Sequence, residues 1–202
     1  YLTMKTRISW IFYCLVSFML LPSLSAAERF VTNESNGFTW IQQGKAYPIL
    51  VDSQEDKGVL RAVANLQTDA GKVTGATPEI IHSPSGNRIL IVGSVENSSW
   101  IKQLVQAGKI PAADLKGKRE KYILQTVKQP VEGVEEAIVI AGSDKRGTIY
   151  GIYELSRQMG VSPWYFWADV PVEKHDIISI KEGVYTDGEP VVKYRGIFLN
   201  DE

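Results

Sequence analysis

The chain has one cysteine, Cys14, and two histidines, His82 and His175, in 202 residues. Cys14 lies within an apolar N-terminal run, so the remainder of the chain must be held by packing, without a disulfide framework or a cysteine-built metal site. The two histidines are isolated from any metal-ligand spacing, which reads them as surface or strand-edge residues. An excess of charge of one sign is also lacking. The 22 basic and 23 acidic residues leave a formal net charge of −1, which offers no electrostatic footprint for nucleic acid or an anionic membrane. There is no internal repeat and no low-complexity segment, and neither a cofactor nor a metal is expected. What is present, 44% hydrophobic and 22% charged residues, suffices for one ordinary domain core.

The N-terminus has three parts. Met4-Lys5-Thr6-Arg7 is a basic opening, Ile8 to Leu21 is almost unbroken apolar sequence, and Pro22 with Ser23-Leu24-Ser25-Ala26-Ala27 supplies small residues for cleavage after Ala27. That is the layout of a secretory signal peptide, so a secreted or periplasmic protein beginning near Glu28 is expected. An anchoring helix is the alternative, but the run is short for a bilayer.

Ala137 to Leu155 organises the rest. Ala137-Ile138-Val139-Ile140-Ala141 reads as a buried strand and Gly142-Ser143-Asp144 as a turn in which Ser143 or Asp144 caps a helix. Ile149, Ile152, Tyr153, Ser156 and Met159 mark the helix face, and Gly160 its stop. The turn could present backbone amides to an anion, yet both phosphate fingerprints fail. Gly142 and Gly147 have the Walker spacing, but Thr148 stands where lysine must be. Asp144 replaces the second glycine of a dinucleotide loop.

Upstream, Glu28 to Gln43 reads as irregular or edge structure and Ala46 to Val51 as a strand. A helix capped by Asp56 comes next, with Val59, Val63, Leu66 and Ala70 on its buried face. Pro78 to His82 and Arg88 to Val92 read as strands that pair as a hairpin across Ser83–Asn87. A short helix from Asn97 or Ser98 buries Ile101, Leu104 and Val105. Lys109 to Lys121 is a basic, solvated connector, and Tyr122 to Val127 and Asp176 to Ile180 are further strands. Trp164 to Trp167 is the densest aromatic cluster. Two readings stand there: a sugar-binding platform, or a strand whose alternate members are core. The irregular rhythm of strands and helices predicts an α/β fold with a mixed β-sheet and packed helices. Thr186-Asp187-Gly188-Glu189-Pro190 is the best boundary, and Val191 to Leu199 reads as a final strand.

Gly142 to Tyr153, Val161-Ser162-Pro163-Trp164-Tyr165-Phe166-Trp167-Ala168-Asp169-Val170-Pro171-Val172 and Lys193-Tyr194-Arg195-Gly196-Ile197-Phe198-Leu199-Asn200-Asp201-Glu202 together resemble glycoside hydrolase family 115, the xylan α-1,2-glucuronidases. The resemblance implies a signal peptide (1–27), an N-terminal α/β domain like β-hexosaminidase domain 2 (28–186), and the first strand of a truncated (β/α)8 barrel (187–202). It further implies glucuronoxylan or its oligosaccharides as partner and inverting acid/base hydrolysis, with Asp201 and Glu202 catalytic and Asn200 substrate-binding. An inverting pair stands about 6.5–9.5 Å apart, whereas adjacent residues on a strand point to opposite sides. The remaining catalytic carboxylates are therefore expected on later barrel strands. A carbohydrate-binding module without chemistry and a structural support domain are the competing readings.

Overall fold

The computed structural model describes residues 28–196; the proposed leader (1–27) and Ile197 to Glu202, with Asn200 and Asp201, lie outside the described residues. The longest apolar runs build its centre. β6 (Arg88–Ser94) and β8 (Glu136–Gly142) lie side by side in parallel, each apolar on both faces as an interior strand requires. Around them the six-stranded sheet runs β10 (Val184–Tyr185), β7 (Tyr122–Lys128), β8, β6, β4 (Ile49–Val51), β5 (Ile80–Ile81). Pairing is parallel from β8 to β5 and antiparallel at β7 and β10, the expected mixed sheet.

Alternation along the strands sorts two cores. Leu90, Val92, Ile138 and Ile140 face α1 (Lys57–Thr74) and α3 (Lys145–Met159). Ile89, Ile91, Val139 and Ala141 face α2 (Ser99–Gln106) and the connector residues Ile110 and Leu115. The helices begin where the acids and hydroxyls said they would: Asp56, Ser98 and Asp144 accept from the amides of Gly58, Ile101 and Gly147. α3 lies so close to the sheet that a Cβ on Gly151 would come within 2.8 Å of Ile140.

Several expectations change. The segment from Glu28 to Gln43 is not irregular: β1 (Val31–Thr32) and β2 (Phe38–Gln42) join β3 (Lys45–Ala46) and β9 (Ile177–Ile180) in a second, antiparallel sheet ordered β1-β9-β2-β3. Its apolar face buries Phe38, Trp40, Ile178 and Ile180 in the same core as α1 and α3. The hairpin also fails, because β4 lies between β5 and β6 and pairs with both. A strand apolar on both faces needs neighbours on both edges, and β4 and β8 supply them. On α3, Tyr153 is exposed and Leu155 is buried. Within the connector, Ile110, Leu115 and Glu120 are buried. Trp164 to Trp167 form turns, and Val191 to Gly196 make no strand.

Candidate functional site

Open α/β sheets bind ligands beyond the carboxyl ends of parallel strands, and here that edge is filled from within. Glu55 is buried and accepts from the Ser94 amide at 2.5 Å and the Ser94 hydroxyl at 2.9 Å. Asp52 takes the Ser99 amide at 2.9 Å; burial works to raise its pKa, but the Ser99 hydroxyl, the Gln54 and Ser99 amides and Lys102 hold the carboxyl below its ordinary value. Asp144 receives the Gly147 amide on one oxygen and the Glu120 amide on the other, both at 2.8 Å. The Ser94, Ser99 and Gly147 amides, which an anion at this edge would meet, are already taken by carboxylates. Gly142 and Gly147 serve packing: a Cβ on Gly142 would collide with the Thr148 hydroxyl oxygen, and one on Gly147 with the Lys121 carbonyl oxygen. The phosphate-loop reading falls on this geometry.

A cleft of about 480 Å³ opens instead between the outer sides of α1 and α3, closed at one end by the Pro163–Phe166 turn. α1 contributes Asn65, Thr68, Asp69 and Lys72; α3 contributes Tyr150, Tyr153, Glu154, Ser156 and Arg157. Asp69 is only 9% exposed although it belongs to a surface helix. Burial pushes its carboxyl pKa up, and the neighbouring Ser156 hydroxyl and Lys72 only partly oppose this. Ser156 Oγ is buried and makes no hydrogen bond of normal length. The Lys72 ammonium stands 4.3 Å from the centre of the Tyr165 ring and 5.7 Å from that of Phe166. Arg157, by contrast, is held by Glu154 at 2.5 and 2.7 Å, which raises its pKa.

The aromatic cluster divides in an unexpected way. Tyr165 is half-buried against the core, while Phe166 is 82% and Trp167 77% exposed. The alternation expected of a strand is absent because the segment turns at Pro163. Asp69 was missed on the sequence, although a signal existed: it falls three residues after Leu66 and four before Val73, within the apolar arc of α1. Among the described residues, no group of histidines, cysteines and acids is placed to hold a metal ion, and no helix is long and apolar enough to cross a membrane.

The segment leaving the sheet is tied back to it. Tyr122 donates to Asp187 at 2.9 Å, and burial together with that carboxylate pushes the phenol pKa far up, so it stays a donor. The Arg119 amide donates to Glu189 at 2.8 Å, holding that carboxyl below its ordinary value, and the Arg119 side chain reaches the Pro190 carbonyl at 2.6 Å. Arg195 meets the buried carboxylate of Glu120, which also pairs with Arg146 at 3.2 Å. Both arginines donate to the Tyr150 hydroxyl, at 3.0 and 2.9 Å. Asn200, Asp201 and Glu202 lie outside the described residues, a few positions beyond this anchor.

A solved structure described as a family GH115 4-O-methyl-α-glucuronidase, BtGH115A, with specificity for decorated arabinogalactans, is 34% identical over 82% of this chain, with a TM-score of 0.67. The β-N-acetylhexosaminidase of Streptomyces coelicolor A3(2), from family GH20, aligns over 79% of the chain at 16% identity and a TM-score of 0.44. The Flavobacterium johnsoniae chitobiase aligns over 85% at 15% and 0.45. The chain spans only 20%, 25% and 21% of these three proteins, respectively. No curated protein matches it in sequence. The model of the glycosyl hydrolase family 67 N-terminus matches residues 39–155, more than half of the 202, and the chain therefore belongs to that family of glycoside hydrolase N-terminal domains.

Proposed function

We propose that this chain is the amino-terminal part of a secreted α-glucuronidase of the family 115 kind. Such an enzyme removes glucuronic acid or 4-O-methylglucuronic acid side chains from xylan or a related decorated polysaccharide, with inversion. The observation that carries the reading is the 34% identity over 82% of the chain to a 4-O-methyl-α-glucuronidase. In this reading residues 1–27 are removed on export and residues 28–186 are a supporting domain. Residues 187–202 begin the barrel, with Asp201 and Glu202 as acid–base residues and Asn200 holding substrate. The ties from Arg119, Glu120 and Tyr122 to residues 187–195 favour the support role, because they fix the direction in which the chain leaves the sheet.

The test uses the full-length parent on glucuronoxylan and on glucuronate-bearing arabinogalactan. Released uronic acid is expected from at least one of them, first seen by NMR as the β-anomer. An absence of release from both refutes the activity, and an initial α-anomer refutes inversion. Asp201→Ala should lower kcat by at least about 10²-fold, the lower end for general acid–base catalysis, with Asn200→Ala milder. Near-wild-type kcat and KM in a folded Asp201→Ala protein would remove that residue from the mechanism. N-terminal sequencing of exported protein should begin at or near Glu28.

A further inference from the structure

The cleft between α1 and α3 contains groups that its own packing leaves unused. Among the described residues, Asp69 makes no ion pair and no hydrogen bond of normal length, its neighbouring donor being the Ser156 hydroxyl, although the residue is nine-tenths buried and lines the cleft. Ser156, 3% exposed, has its hydroxyl shut away from solvent beside Asp69, with no hydrogen bond of normal length. A buried carboxylate short of donors is costly to maintain, and proteins keep such groups where a ligand completes them. Lys72 adds an ammonium poised over Tyr165 and Phe166; among the described residues no carboxylate lies within ion-pair distance of it, and Asp69 feels its charge from farther off. Arg157, the other cation of the cleft, is already occupied by Glu154.

These groups define the ligand by what each lacks. Asp69 needs hydroxyl donors, Lys72 needs an anion, and the exposed ring of Phe166 offers apolar contact to a C–H surface. At about 480 Å³ the cleft lies in the range of ordinary small-molecule pockets. A molecule with several hydroxyls, an apolar ring face and one carboxylate is a uronic acid. We infer that the α1–α3 cleft binds a uronic acid unit, its carboxylate on Lys72 and its ring hydroxyls on Asp69. The choice of a sugar acid over other hydroxy acids rests on the glycosidase reading above; the donor and acceptor requirements do not.

The probes are methyl α-D-glucuronoside and its neutral counterpart methyl α-D-glucoside, titrated into the isotopically labelled chain and followed by amide NMR shifts. The glucuronoside is expected to move the amides of residues 65–72 and 156–166, with a millimolar Kd. The glucoside should bind about tenfold more weakly, the loss expected when one charged hydrogen bond is removed. Lys72→Met should erase the difference between the two sugars. Asp69→Asn, which keeps the side-chain shape, should weaken both. The inference is overturned if the glucuronoside leaves these amides unmoved at about 50 mM, well above a millimolar Kd, if the glucoside binds equally well, or if Lys72→Met still discriminates. Uronic acid release by the full-length parent is scored separately. Binding without release sinks the enzymatic reading alone, and release without binding sinks the cleft alone.

Discussion

The Arg195 guanidinium rests against the Glu120 carboxylate, and Glu120 is almost wholly buried. Glu120 takes this place in a left-handed backbone conformation, φ 55°, while its amide donates to the Asp144 cap of α3. One residue thus links the start of α3, the connector before β7 and the segment that leaves toward Asn200. A non-glycine residue in that conformation costs about 1–2 kcal/mol, so the carboxylate is retained against a backbone penalty.

Glu120→Ala and Glu120→Gly should separate the two effects. Both remove the partner of Arg195, so hydrogen exchange should speed up equally over residues 191–196. The glycine variant relieves the left-handed backbone and should remain about 1 kcal/mol more stable than the alanine variant in urea denaturation. Unchanged exchange in both would show that Arg195 is held elsewhere.

Asp69 should make stability fall as pH rises. Its folded pKa lies above the unfolded value, so between the two the folded state holds more protons, and unfolding free energy declines with pH through that window. Asp69→Asn has no such dependence and should melt higher than the parent at pH 7. The gap should close on acidification below the ordinary aspartate range. Calorimetry from pH 3 to 7 tests the sign; a less stable asparagine variant at pH 7 contradicts it.

Gly147→Ala should destabilise the chain by about 1–3 kcal/mol, the usual cost of overpacking, because its Cβ would strike the Lys121 backbone. The parent chain should show no binding of ATP or pyrophosphate by calorimetry, since the Asp144 carboxylate already occupies the Gly147 amide at the start of α3. Measurable phosphate binding lost in Gly147→Ala would restore the rejected reading.

Tryptophans of opposite standing provide a fourth test. Trp40 is buried and its indole donates to the Tyr47 carbonyl at 2.8 Å, so Trp40→Ala should cost about 3–5 kcal/mol. Trp167 is exposed, and Trp167→Ala should stay within about 0.5 kcal/mol. A large loss at Trp167 in chemical denaturation would mean that it is part of this core.

Local chemistry was enough to determine much of the chain. The caps Asp56, Ser98 and Asp144, the stop at Gly160, and the apolar runs of β6, β7 and β8 were legible because each depends on neighbours within a few residues. The mixed sheet was legible for the same reason, since its rhythm of elements is a property of the chain order. Tertiary structure decided the rest. Polar Glu28 to Gln43 became ordered strands only because β9, some 140 residues later, pairs with β1 and β2. The partner of β5 turned on competition for the edge of β4, which pattern alone does not rank. Asp69 and Ser156 gained their character only when α1 and α3 came together and closed water away from them, since burial is a property of the assembled fold.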